Sequence, residues 1–339
     1  MSALEVHHFG PDPGHVGGMG SVLRVLTDNR IGGDSVVLHP TWRPDSPVAN
    51  AWLASRALST IRRLPRSRIA HVHLSERGSF IREGAVLAAA RLRGQGVVAT
   101  IHGADFLPFA EAYPRLVDGV LGRAHFVTCL DPDIHELLER RLGAAAVELL
   151  PNPVVVDDGS GDAGATEEIV LFAGEVSSRK GADVLAAAWE QVLEVRGEAT
   201  CILVGPAADV EVPPLERLEV RPPVDAEAMR GLIRAARVVV LPSRAEGMPM
   251  ILTEALAAGR PFVSTPVGGI PELAKAGARL VPVGDADALA ASLVELLESP
   301  SLASRLGEEG RAFCASTRSS EVIDRRLRRL YEEVLARRN

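Results

Sequence analysis

Residues 238–254 read Val238-Val-Val-Leu241-Pro-Ser243-Arg-Ala-Glu246-Gly247-Met248-Pro249-Met250-Ile-Leu-Thr-Glu254. Four consecutive apolar residues without polar alternation predict a strand buried on both faces and ending at Leu241. A helix is expected to begin near Pro249, because proline suits the first helical turn. The loop from Ser243 to Met248 then lies at the carboxyl end of a strand and at a helix N-terminus. Backbone N–H groups there have no partner within the helix and can meet anionic or hydroxyl-rich ligand atoms. A strand covered on both faces also needs helices on both faces, so one such unit implies others.

Working outward, the same pattern recurs. Apolar runs at 4–9, 36–39, 69–74, 97–102, 126–130 and 147–150 alternate with helical patterns at 22–29, 50–63, 80–93 and 133–141. A turn-rich, weakly periodic stretch at 151–166 interrupts them and reads as a linker. The alternation resumes at 169–172, 201–204, 238–241, 262–264 and 280–283, then closes in several helices. The class that follows is α/β, with two Rossmann-like doubly wound domains at 1–150 and 151–339. The ligand is expected in the crevice outside the carboxyl ends of their strands.

Composition narrows the function. With 47% apolar and 24% charged residues the chain is ordinary globular protein, not a disordered segment. Aromatics at 4% argue against a base-stacking surface, and a net charge of −7 argues against a general polyanion binder, so no nucleic-acid partner is expected. That charge is uneven, +1 over residues 1–150 and −8 over 151–339. Lys180 and Lys275 are the only lysines, which makes each worth inspection. Cys129, Cys201 and Cys314 lack metal-site spacing and read as reduced thiols. The sequence shows neither a signal-peptide pattern nor an apolar run of about 20 residues, so the expected location is cytoplasmic.

Several residues stand where chemistry is possible. Glu246 precedes the expected helix and Glu254 lies more than a turn inside it, so the two carboxylates could hold hydroxyls at separate points of one extended ligand. An isolated pair of this kind ordinarily just complements the helix dipole. In Gly174-Glu175-Val-Ser-Ser-Arg179-Lys180-Gly181 a strand runs into adjacent cations, which suit a leaving group that gains negative charge. A solvated basic pair is the usual alternative. Gly17 and Gly18 precede the helix expected at 21–29 and would let a diphosphate approach the backbone. His102 closes a strand and is followed by Gly103, which points it at the ligand edge. Its neighbours in the pattern, His7, His8, His71 and His73, read better as core or rim packing.

Two further patterns are set aside. Asp131-Pro-Asp133 and Asp285-Ala-Asp287 have a metal-binding look, but each opens a helix and is accounted for by capping. The arginines at 56, 62, 63, 66 and 68 could meet a membrane surface, yet an arginine-rich solvated helix explains them more simply. A nicotinamide-dependent oxidoreductase is disfavoured, because the Gly-x-Gly lies about eight residues past its strand and Val36-Val-Leu-His39 offers no ribose-binding acid.

Taken together, Ser243-x-x-Glu246-Gly-x-Pro249, the Glu246-x7-Glu254 spacing and Thr265-Pro-Val-Gly268-Gly269-Ile-Pro-Glu272 resemble the retaining glycosyltransferases of the GT-B fold, family 4 in particular. The resemblance covers most of the C-terminal half and scattered points of the first. It implies that Glu246 faces the donor sugar and Glu254 the ribose. It further implies that the backbone around Gly247, Met248, Pro249 and Met250 contacts sugar hydroxyls and phosphate, with Ser243 beside it. Lys180, with Arg179, would hold the pyrophosphate; Gly17 and Gly18 would touch donor phosphate; His102 would contact the donor sugar.

The family often carries an arginine where this chain has Glu175, so one phosphate cation is exchanged for an acid. Arg179 would compensate from nearby, or Glu175 would point elsewhere. Donor specificity is expected in loops such as 205–209 and 221–224, with Val224 among the donor contacts. A final helix at about 321–338 would pack back onto the first domain. The implied reaction is metal-independent transfer from a nucleoside-diphosphate sugar to a small-molecule, glycan or lipid hydroxyl, by a front-face mechanism. A nucleotide-sugar-binding protein without transferase activity remains the alternative.

Overall fold

The alternation of apolar runs becomes two six-stranded sheets in a computed structural model, which describes residues 4–14, 18–44, 47–157, 159 and 161–337. The first sheet comprises Glu5–Pro11 (β1), Ser35–Trp42 (β2), Ile69–Leu74 (β3), Gly96–Ile101 (β4), Phe126–Cys129 (β5) and Val147–Leu149 (β6). The second comprises Ile169–Ala173 (β7), Thr200–Val204 (β8), Leu218–Arg221 (β9), Val238–Leu241 (β10), Phe262–Ser264 (β11) and Ala278–Leu280 (β12). Every pairing between these strands is parallel. The central strands β3, β4, β5 and β10 are buried along their whole length, as continuous apolar runs between two helical layers should be.

The strand orders differ in a way that matters for the site. The first sheet runs β2-β1-β3-β4-β5-β6 and reverses between β1 and β3. The second, read from its far edge, runs β9-β8-β7-β10-β11-β12 and reverses between β7 and β10. In open parallel sheets the crevice at such a reversal is where ligands bind, because the connecting loops diverge to opposite faces there.

The chain forms two compact units, residues 1–153 with 318–339, and residues 154–317. The first boundary falls three residues later than expected from the turn-rich stretch. Leu150 N–H extends the first sheet by donating to the Cys129 carbonyl, and Asn152 is buried beyond it. The second unit ends at Thr317 instead of running to residue 339.

The helix Ser320–Arg337 belongs to the first unit. It buries Ile323, Leu327, Leu330, Tyr331 and Val334, a single stripe at helical spacing. Its rim is held by Arg326 to Glu148 at 2.8 Å and by Arg328 to Asp34 at 3.0 Å. Residue 338, the last of the expected helix, lies outside the described residues.

Three expectations need correction. Strand β9 was not anticipated: Leu-Glu-Val-Arg is a half-exposed edge strand with no continuous apolar run to betray it. The strand expected at 280–283 pairs instead at 278–280. The helices Phe106–Ala112 and Pro114–Leu121, between β4 and β5, were also unforeseen.

Candidate functional site

The two loops that leave β7 and β10 meet at the reversal point of the second sheet. The turn after β7 ends in Gly181, whose φ of +76° is a left-handed conformation that glycine adopts without a Cβ penalty. A side chain there would stand 2.0 Å from the Pro242 carbonyl oxygen. The glycine therefore lets the Lys180 turn press against the end of β10. Lys180 Nζ donates to Glu246 Oε1 at 2.5 Å, and Ser243 Oγ donates to the same oxygen at 2.7 Å.

From the other side, Thr265 Oγ1 donates to the Ser243 carbonyl at 2.5 Å, and Gly269 N–H donates to the Gly247 carbonyl at 2.7 Å. Gly268, at φ +53°, admits no side chain, since a Cβ would fall 2.0 Å from the Glu246 carbonyl oxygen. The Ser243–Met248 loop is thus clamped between two glycine-bearing turns. Glu246 is only 8% exposed, and its charge is tolerable there because a cation and a hydroxyl face it.

The helix after the loop spans Met250–Ala257, with Pro249 as its N-cap at ψ 117°. Pro249 therefore sits just outside the helix, not in its first turn. Met248 and Met250 are buried, so their side chains pack inward and this segment presents backbone. Glu254 lies in the second helical turn, half-buried. Val224 is half-buried on the loop from β9 to the helix Ala226–Ala235.

Arg179 is arranged differently from Lys180. It stands 3.8 Å from Glu175 Oε2 and donates to the Ala245 carbonyl at 3.3 Å, with roughly half its side chain exposed. The acid that replaces the family's usual arginine thus lies against the neighbouring cation. Arg244, which the sequence did not single out, makes a bidentate pair with Asp183 at 2.8 and 2.7 Å and anchors the same turn.

In the first unit, Gly18 is the first residue of the helix Gly18–Asp28, which begins three residues earlier than expected. Gly17 lies outside the described residues. His102 N–H continues the sheet by donating to the Leu74 carbonyl at 2.9 Å, which sets its ring at the carboxyl ends of β3 and β4. His102 Nε2 is 2.9 Å from His73 Nδ1, and His73 Nε2 is 2.8 Å from His8 Nδ1.

Sheet register explains this row. His8 pairs with His71 across β1 and β3, His73 with Thr100 across β3 and β4, and Thr100 with Thr128 across β4 and β5. All therefore project from one face. His71 Nε2 meets Thr100 Oγ1 at 2.6 Å, and its Nδ1 meets Tyr331 Oη at 2.5 Å. His71, His73 and His102, with Asn152, Ile323 and others, line a cavity of about 20 Å³, room for roughly one water.

Burial holds these imidazoles neutral. It lowers His8 to about 3 and His102 to about 4, and puts His71 and His73 well below the usual histidine range. Nitrogens of His8, His71 and His73 lie within 4.8 Å of one another, close enough to suggest a metal. The His71 and His73 rings are stacked at 21° and those of His8 and His73 at 24°. Both nitrogens of His71 are taken by Thr100 and Tyr331 and both of His73 by His8 and His102, so these lone pairs and N–H groups serve hydrogen bonds instead of converging on one point. Asp131 and Asp285 cap helices, accepting from the N–H groups of Asp133 and Ile134, and of Ala288.

Comparison with known proteins gives matches to both halves. Residues 5–158 match the model of glycosyltransferase family 4, and residues 167–299 match glycosyl transferases group 1. The chain is 33% identical over 159 residues to a D-inositol 3-phosphate glycosyltransferase of Streptomyces coelicolor, covering 41% of this chain and 35% of that protein. It is 35% identical over 114 residues to an MMP alpha-(1->4)-mannosyltransferase of Mycolicibacterium hassiacum, covering 33% and 28%. The chain thus spans about a third of the length of these curated relatives.

Among solved structures, sucrose-phosphate synthase from Thermosynechococcus elongatus superposes with a TM-score of 0.77 at 19% identity, over 98% of this chain and 100% of that one. The Anabaena protein HepE in complex with UDP-glucose gives 0.75 at 16%, over 97% and 99%. The fold is that of the GT-B glycosyltransferases.

Proposed function

This chain belongs to the family 4, group 1 glycosyltransferases, and from that premise we propose that it transfers a sugar from a nucleoside diphosphate to a hydroxyl acceptor, with retention at the anomeric carbon. The observation that carries the reading is the convergence of Lys180, Ser243 and Glu246 at the reversal point of the second sheet, beside the start of the helix Met250–Ala257. A cation and a helix N-terminus side by side suit the diphosphate of a nucleotide sugar. Matched relatives are named as sugar transferases, and HepE was solved with UDP-glucose.

In the proposed reaction the bond between the anomeric carbon and the diphosphate oxygen breaks. The departing diphosphate gains negative charge, which Lys180 and the helix start stabilise where it develops. The acceptor hydroxyl forms its bond on the same face of the sugar, and its proton passes to an oxygen of the leaving phosphate. By the family resemblance Glu246 receives hydrogen bonds from the donor sugar and Glu254 from the ribose, and the same resemblance assigns His102 to the sugar. Fixed cations and backbone dipoles supply the charge stabilisation, so chelators should leave the rate unchanged.

A panel of UDP-, GDP- and ADP-sugars, screened first by thermal shift and then with acceptor hydroxyls, tests this reading. The product's anomeric configuration by NMR should equal the donor's; inversion overturns the retaining assignment. The pairing of Glu175 with Arg179 supports a second reading, a nucleotide-sugar-binding protein without transfer. That protein would bind a donor and turn over none with any acceptor.

A further inference from the structure

We propose that His8, His73 and His102 form a hydrogen-bond chain of fixed direction, in which His73 is the positioning residue that keeps the proton of His102 on Nδ1. Each neutral imidazole has one N–H and one bare nitrogen, so a row of three rings can run only two ways. Either His8 donates to His73 and His73 to His102, or both bonds are reversed.

The buried end decides between them. His8 is fully buried, and its Nε2 has no hydrogen-bond partner among the described residues. The small cavity nearby is lined by His71, His73 and His102 but not by His8, so a water held there does not serve that nitrogen. In the reversed chain His8 accepts at Nδ1 and must carry its proton on Nε2, leaving an N–H buried without an acceptor. Orphaned buried N–H groups are the rarer kind of unsatisfied group. In the forward chain the same position is only a bare ring nitrogen.

The forward direction therefore runs outward from the core. His8 Nδ1–H donates to His73 Nε2 at 2.8 Å, and His73 Nδ1–H donates to His102 Nε2 at 2.9 Å. His102 Nε2 is the acceptor, which puts its own proton on Nδ1. Among the described residues no group pairs with that Nδ1. His102 is accordingly presented as a hydrogen-bond donor, suited to a sugar hydroxyl or carbonyl-like oxygen and not to a proton that needs removing. His71 stands outside the relay, since both its nitrogens are taken by Thr100 and Tyr331.

The direction of the chain is a property of the first unit alone; its use at His102 rests on the transferase reading above. Long-range proton–nitrogen NMR on 15N-histidine protein at pH 7.5, with His102→Gln for assignment, reads the tautomer of the unmodified chain. A protonated Nδ1 and bare Nε2 at His102 are expected, and the opposite pattern overturns the proposal. In His73→Phe the nitrogen shifts of His102 should move toward a mixture of tautomers, with kcat lowered about 10–100-fold, by analogy with the loss when a partner that orients a metal-ligating histidine is removed. Retention of the pure Nδ1–H form in that variant would also overturn the positioning role. If the tautomer is as expected but His102→Ala transfers sugar at the full rate, the chain direction stands and the assignment of His102 to the substrate falls.

Discussion

The two units share an architecture and almost nothing of their polar chemistry. Each is a six-stranded parallel sheet. Yet all nine histidines fall between residues 7 and 135, in the first unit, while both lysines fall in the second. The first sheet carries a polar layer across four strands, from His8 through His71 and His73 to Thr100 and Thr128. The strands flanking the reversal point of the second carry none: β7 reads Ile-Val-Leu-Phe-Ala and β10 Val-Val-Val-Leu. The second unit's candidate cluster sits on loops above two apolar strands, whereas the first carries its histidine row on the strands themselves. The difference teaches that one fold can place a site either on top of an inert sheet or in continuity with a buried network.

The largest test of that contrast is acid. Burial lowers the pKa values of His8, His71, His73 and His102, so the unfolded chain binds more protons than the folded one once pH drops below about 6.5. The stability these groups allow is fully present above that pH. It falls as pH drops toward about 4. Hydrogen exchange followed by mass spectrometry should show the first unit losing protection between pH 6 and 4.5 while the second, which lacks histidine, holds. Parallel loss in both units would break the comparison.

Next in size is Lys180→Ala. Removing a cation from the developing diphosphate should lower kcat by about 10²–10³-fold, measured with whichever donor the thermal-shift screen identifies. The acid-sensitive transition of the first unit should be untouched. An unchanged rate would remove the Lys180–Glu246 cluster from the chemistry.

Gly268→Ala probes the clamp on the same loop. A left-handed backbone and a Cβ 2.0 Å from the Glu246 carbonyl should cost at least about 1–3 kcal/mol, read as a lower melting temperature of the second unit. A neutral result would mean that the turn at 265–269 does not hold Glu246 in place.

The smallest effect is expected for Tyr331→Phe. It deletes the hydroxyl that meets His71 Nδ1 and should destabilise the first unit by about 1 kcal/mol, by urea denaturation, without moving the second.

Much of the fold is legible because burial on both faces leaves a continuous apolar run that nothing else in the chain imitates. β4 and β10 show it plainly, and helix caps at Asp131 and Asp285 follow from short-range hydrogen bonding alone. The edge strand β9 escaped because half its side chains face water, and Gly18 because a glycine at a helix start resembles loop. At the candidate site, Lys180 and Glu246 were each nameable from their local pattern. Arg244 was not, since its work is to hold the neighbouring turn in place and leaves no mark in its own neighbourhood.

What the sequence by itself determined is the alternation of buried strands and helices, and the residue types at the strand ends. Those depend on neighbours a few positions away, where hydrophobic period and turn chemistry are decisive. Only the tertiary structure decided that residues 66 positions apart, Lys180 and Glu246, share one bond, and that His8, His73 and His102 stand in a row. Strand order and register set those meetings. They are fixed by how whole sheets pack, a choice to which no short stretch of chain is sensitive.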